Sequence, residues 1–240
     1  MSSTAKYWNI LRLSVVSLVL CCSLVGCGVS RLAQLPNATN NEIYRNYPPL
    51  EDEQVDSLLV LYGSNKVFVD EFLEPTLIAL SHYPELKKTK IKFKYSKEAT
   101  TMAARPKPSS MFWRRKYLVV INNREEFEGI HLEDVPFNAQ IGIIGHELAH
   151  IADYQNHNFF GVAGILFRYS SKRRKPLFER EIDLATIERG LGWQLYDWAQ
   201  YSLSSEGGAT EEYREFKRSH YLTPKQIEEY IRFFARFGGK

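Results

Sequence analysis

The stretch His146-Glu147-Leu148-Ala149-His150 constrains this 240-residue chain more than any other. On a helix, residues four apart sit one turn above each other and about 40° apart around the axis, so the two imidazoles can close on one metal ion. Glu147, the next residue round, is placed to act as base toward a water activated by that ion. The run leading in, Asn138-Ala139-Gln140-Ile141-Gly142-Ile143-Ile144-Gly145, has helical apolar spacing and an Asn of capping type near its start. Ile141, Ile144, Leu148 and Ile151 fall on one stripe, suited to a core, and the two histidines on another, suited to a cleft. The arrangement points to a catalytic zinc with His146 and His150 as two of three protein ligands and Glu147 as general base. The plainer alternative is a buried helix whose histidines are satisfied by carboxylates.

A third ligand must come from elsewhere. The metzincin pattern H-E-x-x-H-x-x-G-x-x-H fits poorly, because its glycine position is Asp153, its last histidine position is Asn156, and His157 comes one residue late. On an unbroken helix His157 would stand about 10 Å beyond His150 along the axis, too far to reach the same ion. The segment Glu179-Arg180-Glu181-Ile182-Asp183 is better suited. Glu179 and Asp183 share a helix face, so one carboxylate can bind the metal while the other accepts the N–H of a ligating histidine and fixes its tautomer. Glu181 and Glu188 would point to roughly the opposite side. Carboxylates also favour the first turn of any helix, so a solvated helix start is the alternative for this pair.

An E-x-x-x-D segment after H-E-x-x-H resembles the gluzincins, the thermolysin-like enzymes and the prenyl-protease-like family among them. The resemblance spans His146 to Asp183. It implies His146, His150 and Glu179 as ligands of one Zn2+, Glu147 as base, and Asp183 as the partner of His146. It also implies a zincin-like α+β domain that hydrolyses peptide bonds, with an edge strand beside the cleft to pair with extended substrate. Such a site needs a donor for the tetrahedral oxyanion. His220, just before the last helix, is taken as that catalytic donor, with Tyr221, Tyr154 and Tyr201 as other candidates.

The N-terminus sets the expected compartment. Lys6 and Arg12 precede an apolar run from Leu13 to Val25 broken only by serines and cysteines, the pattern of an export signal. It ends in Leu24-Val25-Gly26-Cys27, which resembles the lipobox of bacterial lipoproteins. The resemblance implies cleavage after residue 26, acylation of Cys27 and anchoring to a bilayer of the cell envelope, with Gly28 favouring the outer membrane. All three cysteines, Cys21, Cys22 and Cys27, lie in this segment, so the expected mature chain has neither an internal disulfide nor a thiolate metal site. Without residues 1–26 the formal charge falls from +3 to +1, 29 basic residues against 28 acidic, and nothing in that balance calls for nucleic acid. The basic run Lys172-Arg173-Arg174-Lys175 is read as a solvated loop.

Residues 27–50, polar and marked by Pro36, Pro48 and Pro49, read as a tether, and residues 51–240 as one domain. The expected architecture is a small N-terminal sheet with helices, then a mainly helical half. Helices are expected over 51–61 and 66–81, strands over 89–95, 99–104 and 116–122, the last as the edge strand. A long helix over 178–201, interrupted at Gly190 and Gly192, and a last helix opened by the capping box Thr223-Pro224-Lys225-Gln226 complete the pattern. The apolar stretch 158–167 is read as a core helix or loop, with a substrate-cleft lining or a face against the membrane as alternatives, and Trp193, Leu195, Tyr196 and Trp198 as packing residues. Function then divides between an extracytoplasmic zinc peptidase acting on envelope peptides or proteins, a zinc amidase of cell-wall crosslinks, and an envelope binding or assembly factor with a structural zinc.

Overall fold

Lysines alternating with Ile91, Phe93 and Tyr95 give a strand with one wettable face, and around that strand a four-stranded sheet forms. The computed structural model describes residues 44–110, 115–157, 161–162, 164 and 171–237. The elements in chain order are α1 (Asp52–Tyr62), β1 (Lys66–Val67), α2 (Leu73–Ser81), β2 (Lys90–Ser96), β3 (Met102–Pro106), β4 (Lys116–Asn122), α3 (Phe137–Asn156), α4 (Lys175–Thr186), α5 (Gly192–Leu203), α6 (Glu211–His220) and α7 (Pro224–Phe237). The arrangement is α+β, mostly helical with one small sheet. Among the described residues no helix is long and apolar enough to cross a membrane. Cys27, the export segment and most of 158–167 lie outside the described residues.

Strand order is β1-β2-β4-β3, with β1, β2 and β4 parallel and β3 antiparallel to β4. The expectation that residues 116–122 form the edge is therefore corrected, because β4 is paired on both sides. Its unbroken run Tyr117-Leu118-Val119-Val120-Ile121 is what a strand with little solvent contact needs. The edge beside the helices is β3, which begins and ends later than the expected 99–104. Bonds Asn122 N–H to Thr101 O and Lys107 N–H to Lys116 O fix which groups of β3 face β4. By antiparallel alternation, the backbone of Met102, Ala104 and Pro106 points away from β4, where proline's missing N–H is tolerated.

Residues 66–72, expected as the first turns of a helix, are instead β1 and a short 3-10 turn. Lys66 explains the shift: its Nζ donates to the carbonyls of Leu86 (2.8 Å) and Lys87 (2.9 Å), tying the segment beside the start of β2. The packed unit also starts earlier than the expected boundary at 51. Arg45 pairs with Asp197 (2.5 Å), and Tyr47, 7% exposed, meets His82 Nε2 at 2.8 Å. Asn138 is not the cap of α3, whose N-cap is Pro136; its side chain receives Tyr47 N–H and donates to Arg45 O and Asp197.

The central helix α3 is buried along most of its length and packs on α2, β3, α4 and α5. Two glycines permit this. A Cβ on Gly142 would lie 2.1 Å from the carbonyl oxygen of Gln194, and one on Gly145 would lie 2.5 Å from Leu191 Cδ1. The interruption expected at Gly190 is present: Ile187–Leu191 forms a π-turn in which Gly190 adopts φ 88°, a left-handed conformation. Gly192 is helical, contrary to expectation. The turn separates α4 from α5, and both pack against α3. The capping box at Thr223 and Gln226 forms as expected, Thr223 N–H donating to Gln226 Oε1 at 2.9 Å.

Candidate metal centre

Helix α3 carries His146, Glu147 and His150 inward, each 5–6% exposed. Helix α4 crosses them and presents Glu179 and Asp183, one turn apart and 1% and 2% exposed. Phe178 and Ile182, also buried, seat α4 against α3, and the ring of Phe178 lies 5.4 Å from that of His150. This docking joins the two halves of the sequence pattern.

His146 Nε2 and His150 Nε2 lie 3.2 Å and 3.3 Å from the same oxygen, Glu179 Oε2. One ligand atom from each residue falls within 4.8 Å of the others, so the buried trio His146, His150 and Glu179 can hold a metal ion. The other nitrogen of His146, Nδ1, donates to Asp183 Oδ1 at 2.8 Å. Asp183 Oδ2 accepts Leu222 N–H at 2.8 Å, so the carboxylate is fixed from both ends. Without a metal, a proton on Nε2 makes His146 a donor to Glu179. With His146 neutral and its proton on Nδ1, the Nε2 lone pair and the carboxylate oxygen can instead share a metal ion. Glu179 Oε1 and His150 Nδ1 have no hydrogen-bond partner among the described residues, which further marks the cluster as incomplete by protein atoms alone.

The same contacts set the electrostatics of the metal-free site. Burial depresses His146, but its hydrogen bonds to Asp183 and Glu179 outweigh burial and raise it to about 10. Burial would raise Glu179, yet the hydrogen bonds from His146 and His150 hold it well below the usual carboxylate range. Burial raises Glu147, partly opposed by the charges of His150 and His146 and by a backbone hydrogen bond from Ala104 on β3. A buried carboxylate with a raised pKa, beside a cluster that could hold a metal ion, is suited to taking and returning a proton.

A cavity of about 30 Å³ opens beside these groups, lined in part by Thr101, Met102, Glu147, Tyr213, Lys217 and Tyr221. His220, the expected oxyanion donor, does not line it. Its Nδ1 lies 3.0 Å from Phe216 O and 2.8 Å from Ser219 Oγ, and its ring packs on Phe216 at 4.3 Å. The next residue, Tyr221, occupies the site instead, with its ring 5.6 Å from that of His146. Tyr154 is buried between Tyr117 and His150 as a packing residue, and Tyr201 O–H donates to Asp134 O outside the cavity. Glu181 and Glu188 are exposed, Asp153 and His157 pair with each other at 3.8 Å, and Lys172, Arg173 and Arg174 form an exposed turn. Lys217, on the polar helix α6, lines the cavity without having been singled out from the sequence. Only the spacing of Tyr213 and Lys217, four apart in a charged segment, hinted at a buried face there.

Comparison with profiles of known protein families, with characterised proteins and with solved structures finds no match to this chain.

Proposed function

We propose that the chain is a gluzincin-like zinc peptidase of zincin type, hydrolysing peptide bonds outside the cytoplasm while held to the envelope through acyl chains on Cys27. The observation that carries the reading is the convergence of His146 Nε2, His150 Nε2 and Glu179 on one point, with Glu147 buried beside it. A donor set of two imidazoles and one carboxylate suits Zn2+, and it matches the three-ligand sets of catalytic rather than closed structural sites. When bound, the ion supplies Lewis-acid polarisation of a carbonyl and a lowered pKa for water.

The chain's own residues supply the rest. Asp183 holds the His146 ring in the tautomer that leaves Nε2 free to ligate. Glu147, its pKa raised by burial, takes the proton of the attacking water and returns it to the leaving amine. On the side of β3 away from β4, the carbonyl of Ala104 is left for pairing with an extended peptide, its N–H being held by Glu147. Tyr221, which lines the cavity with its ring 5.6 Å from that of His146, takes the donor role expected of His220. Glu147→Gln should leave the metal in place and cut hydrolysis of a peptide library by about 10²–10⁴-fold. Unchanged hydrolysis with the metal retained contradicts the reading. A buried base beside the ligands is of no use to a purely structural zinc, which favours the enzyme over an assembly factor.

A further inference from the structure

Lys217 is 8% exposed, and a lysine this buried ordinarily has a carboxylate partner. Here, among the described residues, it has no ion pair and its Nζ makes no hydrogen bond. Two aromatic faces hold the ammonium instead: Nζ lies 3.6 Å from the Tyr221 ring centroid and 5.0 Å from that of Trp198. Cation–π contact offsets only part of the cost of leaving water.

The nearest carboxylates are already committed. Asp183 is shared between His146 Nδ1 and Leu222 N–H, Glu179 faces both histidines, and Glu147 accepts from Ala104. Burial lowers Lys217 to about 8, against the pull of Asp183, Glu179 and Glu147, so it remains mostly protonated at neutral pH. It therefore presents a cation with vacant donors to the cavity that Glu147 and His146 also line. That cavity, about 30 Å³, has the volume of a water or a carboxylate head rather than of a bulky side chain.

We propose that Lys217 is the specificity determinant of this site and receives a carboxylate carried by the substrate close to the bond that is cut. The inference rests on the peptidase reading for what is cut, but the binding step can be tested without turnover. A charge-assisted bond to the carboxylate completes the lysine's partners, whereas a neutral amide in the same place leaves the ammonium without a counter-charge.

The test uses acetylated, amidated alanine hexapeptides carrying one Glu or one Gln at each position in turn. Binding to the metal-loaded full chain with Glu147→Gln is measured by calorimetry, and the same is done with Lys217→Met added. At one position the Glu peptide should bind about tenfold or more tighter than its Gln counterpart, and Lys217→Met should erase that gap while metal content is kept. No gap at any position overturns the proposal, as does a gap that survives Lys217→Met. Should Lys217→Met lose its metal or its fold, the Nζ resonance of Lys217 decides: it should move on adding the Glu peptide and not the Gln peptide. A resonance unmoved by both overturns the proposal. A gap that depends on Lys217 in a protein whose unmutated form cleaves none of the peptides would leave the carboxylate site standing and remove the peptidase reading alone.

Discussion

His146 Nδ1 donates to Asp183 Oδ1 at 2.8 Å across 37 residues of chain, while Asp183 Oδ2 is held by Leu222 N–H at the junction of α6 and α7. The bond joins α3 to α4 and to the C-terminal helices, and it decides which nitrogen of His146 can ligate. Asp183→Ala removes the tautomer lock without removing a ligand. Metal affinity should fall by about 10–100-fold, measured by competition with a chelator. Wild-type affinity in this variant would mean that His146 is oriented by something else.

The contact between α3 and α5 is close enough to be tested by a single methyl group. A Cβ at Gly142 would meet Gln194 O at 2.1 Å, and a backbone oxygen cannot swing aside as a side chain can. Gly142→Ala should destabilise the fold by about 1–3 kcal/mol or more, seen as a lowered melting temperature. Gly63→Ala is the control, with its nearest neighbour at 3.4 Å, and should stay within about 0.5 kcal/mol of wild type.

His82 couples acid stability to the segment that precedes α1. Its Nδ1–H donates to Arg189 O at 2.6 Å, so Nε2 accepts from Tyr47 O–H at 2.8 Å, an arrangement that requires the neutral ring. Burial lowers its pKa to about 4 against the backbone bond to Arg189. The unfolded chain, titrating near 6.5, then binds the extra proton first. The neutral ring's contribution is fully present above about pH 6.5 and is lost as pH falls through about 4. Urea unfolding across that range should show the loss in wild type and a weaker one in His82→Gln. Equal slopes would place the acid sensitivity elsewhere.

What the sequence made legible was what periodicity and spacing encode. Four-residue spacing placed His146 with His150 and Glu179 with Asp183 on shared faces, and the docking of α4 on α3 supplies the step that spacing alone lacks. The capping box at Thr223 and the break at Gly190 were visible because Thr, Pro, Gln and Gly act locally. The edge strand was misplaced because nearness in sequence to α3 says nothing about strand order, whereas the apolar run of β4 was already the pattern of an interior strand. Residues 45 and 47 fall at the end of the segment that reads as a tether, yet Tyr47 and Arg45 have partners 35 and 152 residues away, which composition does not show. His220 and Tyr221 are both donors by chemistry, and only the end of α6 decides which of the two adjacent side chains lies beside His146. Lys217 lies in the highly charged segment Glu211–His220, where the four-residue spacing from Tyr213 is the one sign of a buried face.

The central claim is that His146, His150 and Glu179 together hold one metal ion, and metal content tests it most directly. Purified full chain should carry one zinc per chain by elemental analysis, and Glu179→Ala prepared alongside should carry none while keeping its helical circular dichroism. A wild-type chain without metal, or a Glu179→Ala chain that retains it, would contradict the account.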